Sequence, residues 1–166
     1  GLSDTNVPTQ QQLVSLLEHY QNRRFSDAEK LALYITEQFP KHQLAWKVLG
    51  AIFGQTGRKL EAIDAQQAAI ALSPQDSETH SNLGITLKDL GRLEEAVTSF
   101  TKAIALKPDY PEAYYNLGIA LQGLGKLEDA TSNYTQAISL KPDFAKAHSN
   151  LGIVLHRLGK LEHAEV

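Results

Sequence analysis

Three asparagines recur at a fixed interval: Asn82, Asn116 and Asn150 are each 34 residues apart, and Leu-Gly-Ile follows every one of them. Asn is a mediocre helix former, so its return in the middle of an apolar helical pattern needs a reason. A carboxamide both donates and accepts hydrogen bonds, so a row of them could grip the peptide units of an extended ligand with little regard to its side chains. The alternative is that each amide satisfies a neighbouring helix or turn of its own chain. Ile85, Ile119 and Ile153 beside the row would either add a narrow apolar strip for ligand side chains or pack between neighbouring units.

Other chemistry-bearing residues point away from catalysis. Of the six histidines, His80 and His148 sit at a recurrent packing position, and His156 and His163 lie across a turn expected at Gly159, with no further ligands nearby to make a metal site. The acidic pairs Glu94-Glu95 and Glu128-Asp129 fall where second helices should begin, where carboxylates favour the positive end of the helix dipole. Gly123-Leu124-Gly125-Lys126 lacks the earlier glycine and the following Ser or Thr of a phosphate loop and reads as a helix turn. Asn133-Tyr134-Thr135 satisfies a glycosylation sequon but falls inside an expected helix. No cofactor is implied.

Composition bounds the rest. The 166 residues are 42% apolar and 21% charged with a net charge of −3, one domain's worth of chain. The absence of cysteine removes disulfides, thiolate metal sites and thiol nucleophiles. No apolar run is long enough to span a bilayer, and no basic block suggests nucleic acid. Neither a membrane nor a nucleic acid is an expected partner, and a cytoplasmic location is the expectation. Methionine is absent and Gly1 comes first, so the chain reads as a fragment or as the product of tag cleavage.

The elements that must position the asparagines follow from a ruler laid along the chain. Pro40, Pro74, Pro108 and Pro142 are 34 residues apart, as are Gly50, Gly84, Gly118 and Gly152, and Gly57, Gly91, Gly125 and Gly159. This period divides the chain into a leader at 1–8, repeats at 9–42, 43–76, 77–110 and 111–144, and a partial repeat at 145–166, with the third and fourth repeats identical at 18 of 34 positions. Each unit reads as two helices. In the fourth, Tyr114, Leu117, Gly118 and Leu121 share one face, Gly125 ends that helix, Leu127, Ala130, Tyr134, Ala137, Ile138 and Leu140 form the stripe of a second, and Pro142 stops it. Small residues at Gly84, Gly118 and Gly152, and at Ala96, Ala130 and Ala164, would let the helix axes approach closely.

These residues resemble the tetratricopeptide repeat, TPR: an aromatic or His at position 4, Leu-Gly at 7 and 8, Ala at 20, an aromatic at 24, Ala at 27 and Pro at 32. The match is close over 77–164. The second repeat keeps Trp46, Leu49, Gly50, Phe53, Gly57, Ala62, Ala69 and Pro74, with Gln66 in place of the aromatic at position 24. The first diverges, with Ser15-Leu16 for Leu-Gly and Arg23 at the turn glycine, where Asn22 is expected to take the left-handed conformation instead. Such divergence suits a capping unit. The segments Ala147-His148-Ser149-Asn150-Leu151-Gly152 and Leu140-Lys141-Pro142-Asp143-Phe144 are similar to the arrays preceding the catalytic domain of O-GlcNAc transferase, and to related bacterial arrays.

The resemblance implies an all-α, right-handed α–α superhelix, or solenoid, of helix–turn–helix repeats whose concave groove is lined from positions 2, 5, 6, 9 and 13. In the third repeat these are Glu78, Ser81, Asn82, Ile85 and Asp89; in the fourth, Glu112, Tyr115, Asn116, Ile119 and Gly123; in the fifth, Lys146, Ser149, Asn150, Ile153 and Arg157. Lys47 and Val48 continue the groove into a greasier N-terminal half with Val14, Leu17 and Ala51. On this resemblance the three asparagines match the asparagine ladder of O-GlcNAc transferase. The clamp that some family members use for chaperone C-termini is disfavoured, because Ala51, Glu112 and Asn116 stand where it needs Asn, Lys and Arg.

The function implied is a non-catalytic module binding a protein or peptide partner as an extended segment in the groove. One alternative is the substrate-recognition arm of a larger transferase whose catalytic domain follows Val166, and another is a self-assembly scaffold. The stripe Leu151, Leu155 and Leu158 lacks its usual cover, which would favour end-to-end association.

Overall fold

The computed structural model describes residues 6–164, and the leader's first five residues lie outside that range. Among the described residues the chain forms α1 (Gln10–Gln21), α2 (Phe25–Gln38), α3 (Gln43–Gln55), α4 (Lys59–Leu72), α5 (Ser77–Asp89), α6 (Leu93–Leu106), α7 (Pro111–Gly123), α8 (Leu127–Leu140) and α9 (Ala145–Ala164). Two compact units divide it, one ending at Thr86 and the other beginning at Leu87.

In the N-terminal unit α1 pairs with α2 and α3 with α4, while α2 packs on α3. Their shared core holds Leu16, Ala28, Ala32, Ile35, Leu49, Ile52, Phe53 and Ala62. A capping box starts α1: Thr9 Oγ1 accepts from the Gln12 amide at 3.1 Å, and Gln12 Oε1 accepts from the Thr9 amide at 2.8 Å. In the C-terminal unit α7 pairs with α8, α6 packs on α7 and α8 on α9. The apolar stripe of α8 is realised there, with Leu127, Ala130, Tyr134 and Ala137 all buried.

What lets the α3–α4 and α7–α8 hairpins close is a notch. A Cβ at Gly118 would lie 2.6 Å from Tyr134 Cε1, and one at Gly50 would lie 2.8 Å from Gln66 Cγ, so only glycine admits these side chains at this axial separation. Gly152 is different, with no atom within 4 Å of a Cβ placed on it.

The first helix of a hairpin ends in a Schellman turn. At α3 the Arg58 amide reaches the Phe53 carbonyl at 2.9 Å with Gly57 at φ 79°, and at α7 the Lys126 amide reaches Leu121 at 2.9 Å with Gly125 at φ 77°. The first hairpin makes the same turn without glycine. Arg24 N–H bonds the His19 carbonyl at 2.8 Å, and Arg23 itself, not Asn22, adopts the left-handed conformation at φ 57°. Asn22 stays at φ −87° and uses its side chain to bond the Glu18 carbonyl at 2.9 Å. Hairpin packing sets the register of the turn, so the strain falls on whichever residue occupies that position. Arg23→Gly should stabilise the chain by about 1 kcal/mol, read as a rise in its denaturant midpoint.

Second helices end just before the prolines: Phe39, Ser73, Lys107 and Lys141 are their C-caps. Ring nitrogens from the following helix then secure the proline carbonyls. Trp46 Nε1 donates to Pro40 O at 2.8 Å, and the Nε2 atoms of His80 and His148 lie 2.9 and 2.8 Å from Pro74 O and Pro142 O. A carbonyl only accepts, so both histidines carry a proton on Nε2. Tyr114 has no ring nitrogen and packs against Ala137, Phe144 and Ala147 instead.

The turn expected at Gly159 is absent. α9 runs unbroken through it to Ala164, which places His156 and His163 on one helix. The seven residues that follow Gly159 in the sequence would make only about two helical turns, too little apolar surface to offset the backbone bonds a reversal would break. The paired glycines give a direct check. Gly118→Ala should cost about 1–3 kcal/mol because a buried ring must shift, while Gly152→Ala should gain up to about 1 kcal/mol from helix propensity, both measured by equilibrium urea unfolding.

Candidate functional site

In the N-terminal unit the expected groove residue Lys47 is tied into a polar node. Its Nζ lies 3.0 Å from both Asp76 Oδ2 and Glu78 Oε2. Asp76 caps α5: its Oδ1 accepts from the Glu78 and Thr79 amides, and its Oδ2 accepts from Thr79 Oγ1 at 3.0 Å and from Gln43 Nε2 at 2.9 Å. Burial works to raise the Asp76 carboxyl, but the Lys47 ammonium and the Thr79 donors outweigh it and hold the group below its ordinary value. Burial likewise opposes the charge on Lys47, and Glu78 and Asp76 overcome it, so its ammonium is raised. The sequence reading missed Asp76, although it is the acid at a position that Tyr110 and Phe144 fill in later repeats.

Two expected groove residues in this unit face inward. Val48 is 5% exposed and belongs to the apolar core, and Ser81 is 1% exposed, so a ligand does not reach their side chains. Asn82 and Ile85 are half-buried and Glu78 is exposed. Behind them, buried Gln66 donates from Nε2 to Thr86 Oγ1 at 3.1 Å.

The C-terminal unit gathers five of the expected residues around one cavity of about 630 Å³: Glu112, Tyr115, Asn116, Ile119 and Lys146, together with Lys88, Lys141, Asp143, Phe144 and Ala145. α7 supplies the floor and the turn before α9 supplies one wall. The Asn116 amide is held at both ends, its Nδ2 donating to the Glu112 carbonyl at 2.9 Å and its Oδ1 accepting from Lys88 Nζ at 3.1 Å. One N–H and one lone pair remain for another group. Lys141 Nζ sits 3.8 Å from Glu112 Oε1 and 4.9 Å from the centre of the Phe144 ring.

An aromatic series backs this cavity. Tyr115 packs on Phe144 at 4.9 Å and on Tyr134 at 6.0 Å between ring centres, and its hydroxyl accepts from Asn150 Nδ2 at 3.4 Å. Asn116 and Asn150 are therefore both engaged within their own chain. Ser149, Ile153 and Arg157 are exposed on α9, and Asp89 is exposed at the end of α5. Gly123, expected on the groove, instead lies against α6, where a Cβ would meet Leu93 Cδ1 at 2.7 Å. Sequence reasoning also passed over Lys88 and Phe144, because the period shows which positions repeat and not how far a lysine reaches from the helix before.

Tyr134 joins the two helices of this hairpin. It is fully buried, its hydroxyl donates to Gln122 Oε1 at 2.7 Å, and burial pushes its phenol up to about 12. A folded-state value above the unfolded one stabilises the fold below about pH 10, and that contribution is lost as pH climbs towards 12. Tyr134→Phe should cost about 1 kcal/mol at neutral pH through the lost hydrogen bond, and the gap to wild type should narrow above pH 10 in urea titrations.

Helix hairpins repeated every 34 residues, two of them closed over the glycine notches at Gly50 and Gly118 and four second helices stopped at a proline, define a class of all-α solenoid. The chain belongs to the tetratricopeptide repeat family: TPR models match residues 16–77, 65–98, 86–125 and 123–159. No curated protein sequence matches it. Among solved structures it is similar to MamA protein, at 23% identity over 92% of this chain and 84% of that one with a TM-score of 0.84. It is also similar to the first TPR of Spaghetti (RPAP3) bound to the HSP90 peptide SRMEEVD, at 26% identity over 70% and 93% with a TM-score of 0.70. YrrB, described as a TPR protein with an unusual peptide-binding site, is 20% identical over 84% and 72% with a TM-score of 0.77.

Proposed function

We propose that this chain is a protein-interaction module that holds an extended peptide segment against the first helices of its repeats. The observation that carries the reading is the cavity of the C-terminal unit, where Asn116 keeps hydrogen-bonding capacity beside the Tyr115 and Phe144 rings and Ile119. An amide with a fixed orientation can bond a peptide backbone at little entropic cost, while the rings and Ile119 accept an apolar side chain. Related TPR structures that bind peptides, RPAP3 with its HSP90 peptide and YrrB with its peptide-binding site, support a peptide as the partner class.

A free C-terminal carboxylate is a poor candidate for the N-terminal unit, because Lys47 is already neutralised by Asp76 and Glu78. An internal segment with an unremarkable backbone fits better. The reading is of binding rather than catalysis. The test is an array of overlapping 15-residue peptides followed by titration of the strongest. Asn82→Ala, Asn116→Ala and Asn150→Ala together should leave helicity unchanged and weaken capture more than tenfold. Unaltered capture would assign the amides to internal bonding alone.

A further inference from the structure

Successive repeats join where a first helix packs on the second helix before it, as α3 does on α2, α7 on α6 and α9 on α8. The residues buried there are apolar: the third position of the first helix is Ala45, Ala113 or Ala147, and the tenth is Ile52, Ala120 or Val154. Position 24, on the second helix, is Phe100 or Tyr134 in the third and fourth repeats. The joint between α4 and α5 departs at all three places. Thr79 and Thr86 hold the third and tenth positions, Gln66 holds position 24, and all three are buried.

Hydrogen bonds and charge hold this joint in place of packing. Inside it, Gln66 Nε2 donates to Thr86 Oγ1, which donates in turn to the Asn82 carbonyl at 3.1 Å. Gln66 Oε1 is buried with no hydrogen-bond partner among the described residues, so its desolvation is uncompensated while the joint is closed. At the start of α5, Asp76 reaches back to Gln43 and Lys47 on α3, and Glu78 adds a second contact to Lys47. Water can satisfy every one of these polar groups once the joint opens, the Gln66 acceptor included, whereas an apolar face exposed to water gains nothing. The apolar core around Leu16, Ile35, Ile52 and Phe53 draws its residues from α1–α4, so those helices keep a core of their own without α5. Lys47 and its two carboxylates stand on opposite sides of the joint, so opening also releases an ammonium that the closed form neutralises.

We propose that the α4–α5 joint is a built-in opening point of the array, at which α1–α4 part from α5 as a folded block and uncover Lys47. In a solenoid each repeat contacts only its neighbours, so parting one joint breaks one interface and leaves the hairpins intact. The chain has no cysteine, so a single introduced thiol reports opening through its rate of reaction with Ellman's reagent under native conditions. Ala69→Cys on α4 and Ala103→Cys on α6 alter the same fully buried position of a second helix, the place at which Ala137 packs with Ala147 of the next helix. The thiol of Ala69→Cys should react about tenfold faster or more. Thr79→Cys against Ala113→Cys makes the same comparison from the first-helix side and carries the test if Ala69→Cys does not fold. Adding Gln66→Met and Thr86→Val, which make the joint apolar at nearly the same shape, should slow the reaction of Ala69→Cys or Thr79→Cys by about tenfold or more and leave Ala103→Cys and Ala113→Cys unchanged. Equal rates at the matched positions, or rates that the Gln66→Met and Thr86→Val pair does not slow, would overturn the proposal.

Discussion

The approach of two helices over a residue without a side chain is the constraint from which the rest of this structure follows. At Gly118 the ring of Tyr134 occupies the space a Cβ would need, and at Gly50 the stem of Gln66 does the same. Close axes leave Leu117 and Leu121 on α7 and Leu127 and Ala130 on α8 buried, and burial of these faces supplies the main stabilisation of a repeat. Where no second helix arrives, as at Gly152, the same sequence pattern leaves leucines in water.

Hairpin closure also dictates the conformation of the connections. The first helix must end at the same residue each time for the second to pack back on it, so the Schellman turn keeps its register even when Arg23 replaces glycine. The connection to the next hairpin is held differently. Proline cannot continue the helix, and the carbonyl it presents is taken by a ring N–H from Trp46, His80 or His148. One aromatic position thus combines packing with a hydrogen bond that ties successive repeats together.

With the scaffold set, polar side chains on the first helices are free to differ between units. The N-terminal unit spends Lys47 on Asp76 and Glu78, and the C-terminal unit spends Lys88 on Asn116 and lines its cavity with Tyr115, Phe144 and Lys146. The surfaces these side chains create are chemically distinct, although the backbones beneath them repeat.

Much of this was legible in the sequence because it is local. Period, helix ends, apolar stripes and the glycine notches depend on φ preferences, missing N–H groups and the 3.6-residue turn, all carried by neighbouring residues. The tertiary structure alone decided that Arg23 rather than Asn22 takes the left-handed conformation, that α9 passes straight through Gly159, and that Val48 and Ser81 are buried. It alone showed Lys47 captured by an acid nearly one repeat away. Such outcomes depend on which surfaces meet across the hairpins: packing fixes the strain at a turn, the presence or absence of a covering helix decides whether a turn forms, and burial and charge pairing depend on groups far apart along the chain.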